Sequence, residues 1–566
     1  MGIQVELQHS VYAVSGQPSW KRGDAQALPL HAPLLTVCSD NFVPDMLDSD
    51  HLSLDEKSSL RYLFDVSLYP DVSLCFPEAA DPNWPICQYS DEEVEYLLSV
   101  GLMTPSRNQS RAGYFSSLFA VNEVNKNRRR MVQDTLSANI LCAEPSHVQF
   151  TSIGLLRRAV FKGTHGATFD VKAMFYHFGL SPDVAERAFR VLTRDGTIMD
   201  FGRLPMGFKW AVKIAQTAIK FLTAGLPEVH IELYIDNVLI IGSREAVQRA
   251  RTIFLSRCAT YGFVLGEDSG VQTVVVHRGM QLDLKHKTCC LAPAFVQKFV
   301  SRWAAEDGSW ADRRALVGSI VYATSVLDYS MSGIFHILKW LARHSSALPS
   351  AAAPWWAACV PELHRVVSFI TANSCVSPPE ASESLVVVTD AATETGLGAI
   401  IIIMPSGRVM QRAFPISHWT SINDMEASAL RQGMQLFMSV LRGKHILYFG
   451  DNTSVLSTLM ATYSKSFALN LVIGRIVAML HSLRSIISPF YVPSAFNPAD
   501  APTRNVQWSR EHRRTLSYCQ QVLAATRRAR HRGVECWRGS ELDPLMPRVI
   551  ILSRNVTPLS QAPWLN

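Results

Sequence analysis

The chain has 566 residues, 48% hydrophobic and 18% charged, with 54 Lys+Arg against 48 Asp+Glu for a net charge of +6. That length provides for about three or four domains with ordinary cores, and the composition excludes a wholly disordered chain. The mild basic excess permits a polyanionic partner without requiring one.

The longest apolar runs, such as Ala399–Met404, fall far short of the roughly 20 residues that a bilayer-spanning helix needs. The N-terminus reads Met1-Gly2-Ile3-Gln4-Val5-Glu6, with no apolar signal core and with Glu6 where a myristoylation signal wants Ser or Thr. Eleven cysteines, an odd number without a CxxC pair, predict reduced thiols rather than a disulfide framework, and no zinc knuckle or finger. The expectation is a soluble, intracellular, multidomain protein of the nucleus or cytoplasm, without a membrane partner.

Residues 1–85 are rich in Pro, Ser, Asp and His with weak periodicity, and carry no assignable role. Asp91–Val100 reads as a short amphipathic helix starting after Ser90 and stopping at Gly101. Strand-like and helical segments then alternate to about residue 345. Among them, Asp170 ends a strand, with the aromatic Phe175 five residues on. Leu204-Pro205-Met206-Gly207-Phe208 is a Gly-containing turn that lets backbone approach a ligand closely. Tyr234-Ile235-Asp236-Asn237 is a tight turn between the apolar strands His230–Tyr234 and Val238–Ile241. If those strands pair with the one ending at Asp170, two carboxylates meet at one sheet edge and can hold two Mg²⁺ ions about 4 Å apart.

In this order the segments resemble the reverse transcriptases over about residues 90–345. Asp170 with Phe175 resembles the first palm motif, LPMGF the second, and YIDN the metal-binding hairpin. Upstream, VGLMTPS, SSLFAV and RRRMVQDTLSAN resemble the fingers entry, with Arg130 at the triphosphate-binding position; downstream, YGFVLGEDS and HRGMQLD resemble the closing palm segments. The resemblance makes Asp170 and Asp236 catalytic metal ligands, Phe175 a steric gate against a ribose 2′-hydroxyl, and Met206 and Gly207 part of the nucleotide pocket. Three positions depart from the pattern. Asn237 stands where most of the family has a second Asp, Met206 replaces a polar residue, and Glu267-Asp268 replaces a lysine.

Ser345–Trp356 and Ser374–Ser384 read as linkers. From Leu385 a new unit begins: a buried-type strand ending at Asp390, a hairpin through Pro405-Ser406-Gly407, a helix Asp424–Arg442, a strand ending at Asp451 and a helix Leu469–Leu483. Asp390, Glu426, Asp451 and Asp500 each sit at an element end, spaced 36, 25 and 49 residues apart. VVVTDA, MEASAL, FGDNTS and NPADAPTR resemble the four metal-ligand motifs of retroelement ribonuclease H, although YVPSAFN lacks the histidine often found before the last Asp. An integrase core shares that fold, but its Glu comes last in the chain, whereas Glu426 is second. Beyond Asp500 the tail collects arginines, among them Arg527 and Arg528; these, with Arg128 and Arg129, are candidate nucleic-acid contacts.

The implied fold class is α/β (α+β): a right-hand polymerase with fingers, ferredoxin-like palm and thumb, followed by a ribonuclease H-like mixed-sheet domain. The expected boundaries are 86–270 for fingers and palm, 271–373 for thumb and connection, 374–384 for a linker, 385–508 for the ribonuclease H-like domain and 509–566 for an Arg-rich tail. The implied activity is RNA-directed DNA polymerisation with ribonuclease H cleavage, using Mg²⁺ or Mn²⁺, about two ions per site. Its partners would be an RNA template, a DNA primer, the RNA:DNA hybrid and deoxynucleoside triphosphates. The layout resembles a DIRS-like retrotransposon polyprotein segment, and Asp-Asn in the hairpin resembles its VIPER-like trypanosomatid members. Two other readings stay open: a catalytically dead nucleic-acid-binding protein, and a structural ribonucleoprotein subunit with a covered cleft. The triplet Asp268-Ser269-Gly270 and the HxxR spacing of His481 and Arg484 are set aside as coincidence and as a helix face.

Overall fold

The computed structural model describes residues 30–31, 38–70, 87–111, 115–123, 128–148, 150–304, 310–343, 353–372, 375–378, 383–531 and 550–551. The chain divides into two compact units, Met1–Val148 with Val171–Ala224 and Arg257–Val264, and Gln149–Asp170 with Gly225–Ser256 and Leu265–Asn566. Residues 86–270 therefore contribute to both units.

In the first unit, β1 (Leu118–Glu123) and β2 (Arg128–Gln133) form an antiparallel pair. The helix expected at Asp91 forms over Asp91–Ser99, with Ser90 and Glu93 satisfying each other's backbone N–H groups. Residues 38–70, unreadable as sequence, are part of this unit's core. Phe42 is fully buried among the rings of Phe178, Phe221, Tyr261 and Phe263. Tyr62 stacks on Trp210 with ring centroids 4.0 Å apart.

In the second unit, β3 (His165–Val171), β4 (His230–Tyr234), β5 (Asn237–Gly242) and β6 (Leu265–Asp268) form a sheet in the order β6-β3-β5-β4. A second antiparallel sheet runs through β7 (Val274–His277), β8 (Met280–Asp283), β9 (Thr288–Leu291) and β10 (Cys375–Val376). Strand β10 falls in the expected linker 374–384, and its register sets Cys375 directly opposite Cys290, where the two form a disulfide. That corrects the expectation of thiols only. A cross-strand pair brings two side chains together from 85 residues apart, which spacing along the chain does not reveal. The other expected linker is helical from Ala353; its residues 345–352 lie outside the described residues.

The C-terminal part of this unit is a six-stranded mixed sheet of β11 (Glu383–Ala392), β12 (Leu397–Ile403), β13 (Val409–Pro415), β14 (Lys444–Gly450), β15 (Ile486–Tyr491) and the two-residue β16 (Ile550–Ile551). The order is β13-β12-β11-β14-β15-β16, antiparallel on the hairpin side of β11, parallel through β14 and β15, and antiparallel again at β16. This is the expected ribonuclease H-like arrangement. Alternate residues of β11 serve two cores. Leu385 and Val387 pack with helices α1 (Ile422–Leu436), α2 (Thr453–Ala461) and α3 (Phe467–Leu483), while Val386 and Val388 pack with α4 (Arg510–His531). A strand buried on both faces reads as an uninterrupted apolar run, as LVVVTD does.

Helix α4 changes the reading of the tail. Leu516, Cys519, Val522 and Leu523 recur at helical spacing and bury against the sheet, so this layer continues past residue 508 to about His531. Tyr518 is 5% exposed within that core, a packing residue rather than a base-stacking one. Trp537 lies outside the described residues. Among the described residues no helix is long and apolar enough to cross a membrane.

Candidate active sites

Three of the four C-terminal acids converge. Strand β11 delivers Asp390, Asp451 follows β14, and Glu426 stands in the early turns of α1, whose start is capped by the Ser421 hydroxyl accepting from the Asp424 N–H at 3.3 Å. Because β11 and β14 are parallel neighbours, their two acids emerge at the same end of the sheet. One carboxylate oxygen from each of Asp390, Glu426 and Asp451 lies within 4.8 Å of the other two. Asp390 and Glu426 are 5% and 6% exposed.

Burial first, and then repulsion by Asp451, pushes the Asp390 carboxyl up to about 7. Burial, then Asp390 and Asp451, pushes Glu426 up to about 9, and burial raises Asp451 as well. These are three hard oxygen donors crowded at a distance that costs free energy unless protons or a cation neutralise them. Asp451 Oδ1 is buried without a hydrogen-bond partner, an acceptor that a cation would satisfy. The residues fit a divalent metal ion. Asp500 stands outside this cluster, half-buried and accepting from Arg504 Nε at 2.6 Å, although its charge is felt at Asp390 and Asp451.

Sequence reasoning missed the groups that hold these acids. Asn497 Nδ2 donates to Thr389 O at 3.0 Å and lies 3.4 Å from Asp390 Oδ1. Thr503 Oγ1 donates to Asp390 Oδ2 at 2.9 Å, and the Ser494 hydroxyl donates to Asp451 Oδ2. The available signal was the polar pair Asn497 and Thr503 flanking Asp500 inside NPADAPTR.

The other two predicted metal-ligand acids of the second unit lie on β3 and in the β4–β5 hairpin. The register pairs Asp170 with Asn237, and Tyr234 with Asn237, so Ile235 and Asp236 form the two-residue turn beside Asp170. Asp170, Asp236 and Asn237 are all half-buried. Asn237 Nδ2 donates to Asp236 Oδ1 at 2.8 Å, so the amide that replaces a second Asp engages the first. Ile235 has φ +58°, a left-handed conformation that a β-branched residue rarely adopts. Asp268 is occupied by Arg251 and Ser269 by β3, so that triplet serves the sheet edge. His481 is exposed on α3 and meets Asp328 at 3.1 Å.

The remaining residues lie in the first unit, apart from those in α4. Arg130 is exposed on β2 opposite Val121; Arg128 begins that strand. Arg129 is ion-paired with Glu93. Phe175 is half-buried in the 3-10 turn Met174–His177. Met206 is half-buried and Gly207 exposed, the latter at φ +106°, which explains the glycine. Asn139 clamps this turn, donating to Gly207 O at 2.9 Å and accepting from Lys209 N at 2.7 Å. Arg527 and Arg528 fall in the last turns of α4.

Residues 386–504 match a family model described as reverse transcriptase-like. Among solved structures, the chain is similar to a foamy viral protease-reverse transcriptase in complex with double-stranded DNA, at 14% identity and TM-score 0.45 over 82% of this chain and 84% of that one. A foamy viral protease-reverse transcriptase in complex with RNA/DNA hybrid gives 14% identity and TM-score 0.44 over 84% of this chain and 65% of that one. No curated protein matches.

Proposed function

We propose that the chain is a metal-dependent nucleic-acid-processing enzyme of the reverse transcriptase/ribonuclease H type, from a retroelement. The observation that carries this is the buried cluster of Asp390, Glu426 and Asp451 at the end of the ribonuclease H-like sheet. The match of residues 386–504 supports it.

At that cluster Asp390, Glu426 and Asp451 hold Mg²⁺ or Mn²⁺, with Asp500 and Arg504 at the rim. Divalent ions bound there supply an activated water and neutralise the leaving 3′-oxygen of a phosphodiester. The fixed, water-poor setting keeps the oxygens aimed without reorganisation. The substrate is the RNA strand of an RNA:DNA hybrid, distinguished by its 2′-hydroxyls.

The second activity in this reading is RNA-directed DNA synthesis. Asp170 and Asp236 are its metal ligands, while Arg130, Phe175, Met206 and Gly207 are assigned to the deoxynucleoside triphosphate by their motifs. A DIRS-like origin rests on NPADAPTR and on the Asp-Asn hairpin. Asn237 favours a second reading, a protein that binds template and primer without extending it. Two assays separate these. With Mg²⁺, cleavage of an RNA:DNA hybrid is expected and should disappear on Asp390→Asn; cleavage indifferent to that substitution would place the chemistry elsewhere. Extension of oligo(dT) on poly(rA) decides the polymerase, and its absence from both the natural protein and Asn237→Asp would leave the binding-only reading.

A further inference from the structure

Between β15 and α4 the chain passes the carboxylate cluster twice. Ser494 donates to Asp451, and three residues later Asn497 reaches the backbone carbonyl of Thr389 and the carboxylate of Asp390. The short helix Asp500–Thr503 then returns Thr503 to the other oxygen of Asp390. Asn497 and Thr503 are both 0% exposed. Each is anchored from behind. Asn497 Oδ1 accepts from Ala499 N at 3.1 Å, which fixes the amide's orientation, and the Thr503 carbonyl accepts from Thr395 Oγ1 at 2.9 Å in the β11–β12 turn.

We propose that Asn497 and Thr503 are positioning residues that fix the plane of the Asp390 carboxylate for metal binding; this rests on reading the cluster as a ribonuclease H-type metal centre. With one donor on each oxygen, the carboxylate cannot swing about its terminal torsion, and one of its oxygens stays within 4.8 Å of carboxylate oxygens of Glu426 and Asp451. The Thr503 hydroxyl also lies 2.8 Å from Asp500 O, and one proton serves one acceptor at a time. An ionised carboxylate is the stronger acceptor. Neither residue contacts the substrate in this scheme. Partners of this kind orient metal ligands, and their removal typically weakens metal affinity by about 10–100-fold.

The test is Mn²⁺ binding to the full chain without nucleic acid, counting the component that Asp390→Asn abolishes, beside Mg²⁺-dependent hybrid cleavage. Thr503→Val keeps the shape and removes the hydroxyl; Thr503→Ser keeps the hydroxyl. Thr503→Val should weaken that Mn²⁺ component by about tenfold or more and raise the half-saturating Mg²⁺ for cleavage alike, with the hybrid KM unchanged, while Thr503→Ser stays within about twofold of the natural protein. Asn497→Ala carries the same expectation should Thr503→Val fail to fold. Unchanged Mn²⁺ affinity in the folded variants, or a defect in Thr503→Ser as deep as in Thr503→Val, would overturn the proposal. Mn²⁺ binding by the natural protein without hybrid cleavage would sink the nuclease reading and leave the positioning inference standing on the affinities. The absence of any component that depends on Asp390 would sink both.

Discussion

Asp390, Glu426 and Asp451 come from three elements separated in sequence and converge in a buried cluster. Asp170, on β3, and Asp236, in the β4–β5 turn of the same sheet, stay half-buried. The first set is crowded, its carboxylates raised by burial and repulsion; in the second, the third position is an amide that donates to Asp236. The chain alone completes a cation site at the first. At the second, under the proposed function, the chain would supply two charges and the substrate's phosphates the further ligands, as magnesium sites on phosphate substrates commonly do. The two centres should therefore respond differently to the same perturbation.

The largest contrast comes from deleting charge at the crowded centre. Asp390→Asn or Glu426→Gln should reduce hybrid cleavage on the order of a thousandfold or more, since residues acting as one metal-holding unit fail together. Primer extension by the same variants, measured beside cleavage, should be essentially unaffected. Parallel loss of both activities would mean that the two centres are not independent. The converse change adds charge where it is missing. Asn237→Asp trades the amide's hydrogen bond for repulsion against Asp236, costing about 1 kcal/mol of metal-free stability. In exchange, the Mg²⁺ concentration needed for extension should fall severalfold. An unchanged Mg²⁺ requirement would show that the third charge is not what limits this site.

A smaller effect follows from pH. The Asp390 and Glu426 carboxyls sit near 7 and 9 in the folded protein, above their ordinary values of 3.8 and 4.5. Raised carboxylates bind protons more tightly in the folded than in the unfolded state. Their contribution to stability is complete below the ordinary range and is lost as pH rises through the folded values. Without metal, Tm of the C-terminal part should fall between about pH 4 and 9, and Glu426→Gln should flatten that fall. Mg²⁺ competes with the same protons, so the Tm increase it causes should grow over this interval. A metal-induced shift that is constant with pH would remove the crowded-site side of the comparison.

How much of this was legible depended on whether a feature is local. The β11 run, the hairpin at Gly407 and the acids at element ends were readable because burial on both faces and turn chemistry leave local patterns. Three of the four C-terminal acids form the cluster as their order implied; Asp500 faces Arg504 instead, a competition between a metal site and a nearby guanidinium that spacing does not encode. Residues 38–70 were opaque because their buried rings, Phe42 and Tyr62, pack against partners more than a hundred residues away. The Cys290–Cys375 pairing was hidden for the same reason. Arginine density in α4 concealed an apolar stripe that decides where the helix sits.

The finest contrast lies in the hairpin turn, where Ile235 holds a left-handed conformation beside Asp236. For an L-residue this costs about 1–2 kcal/mol, and glycine adopts it freely while losing about 0.5–1 kcal/mol more entropy on folding. The two terms nearly cancel, so Ile235→Gly should change stability by less than about 1 kcal/mol. Its effect on synthesis should be larger than its effect on Tm, because a freer turn no longer dictates where Asp236 points relative to Asp170. Hybrid cleavage should not move at all. Chemical denaturation read beside both activities checks this. Destabilisation by about 2 kcal/mol or more would mean that packing of the half-buried Ile235 side chain, not its backbone, accounts for the residue. The strained turn would then be a by-product of burial, and the hairpin site would be held in place much as the buried one is.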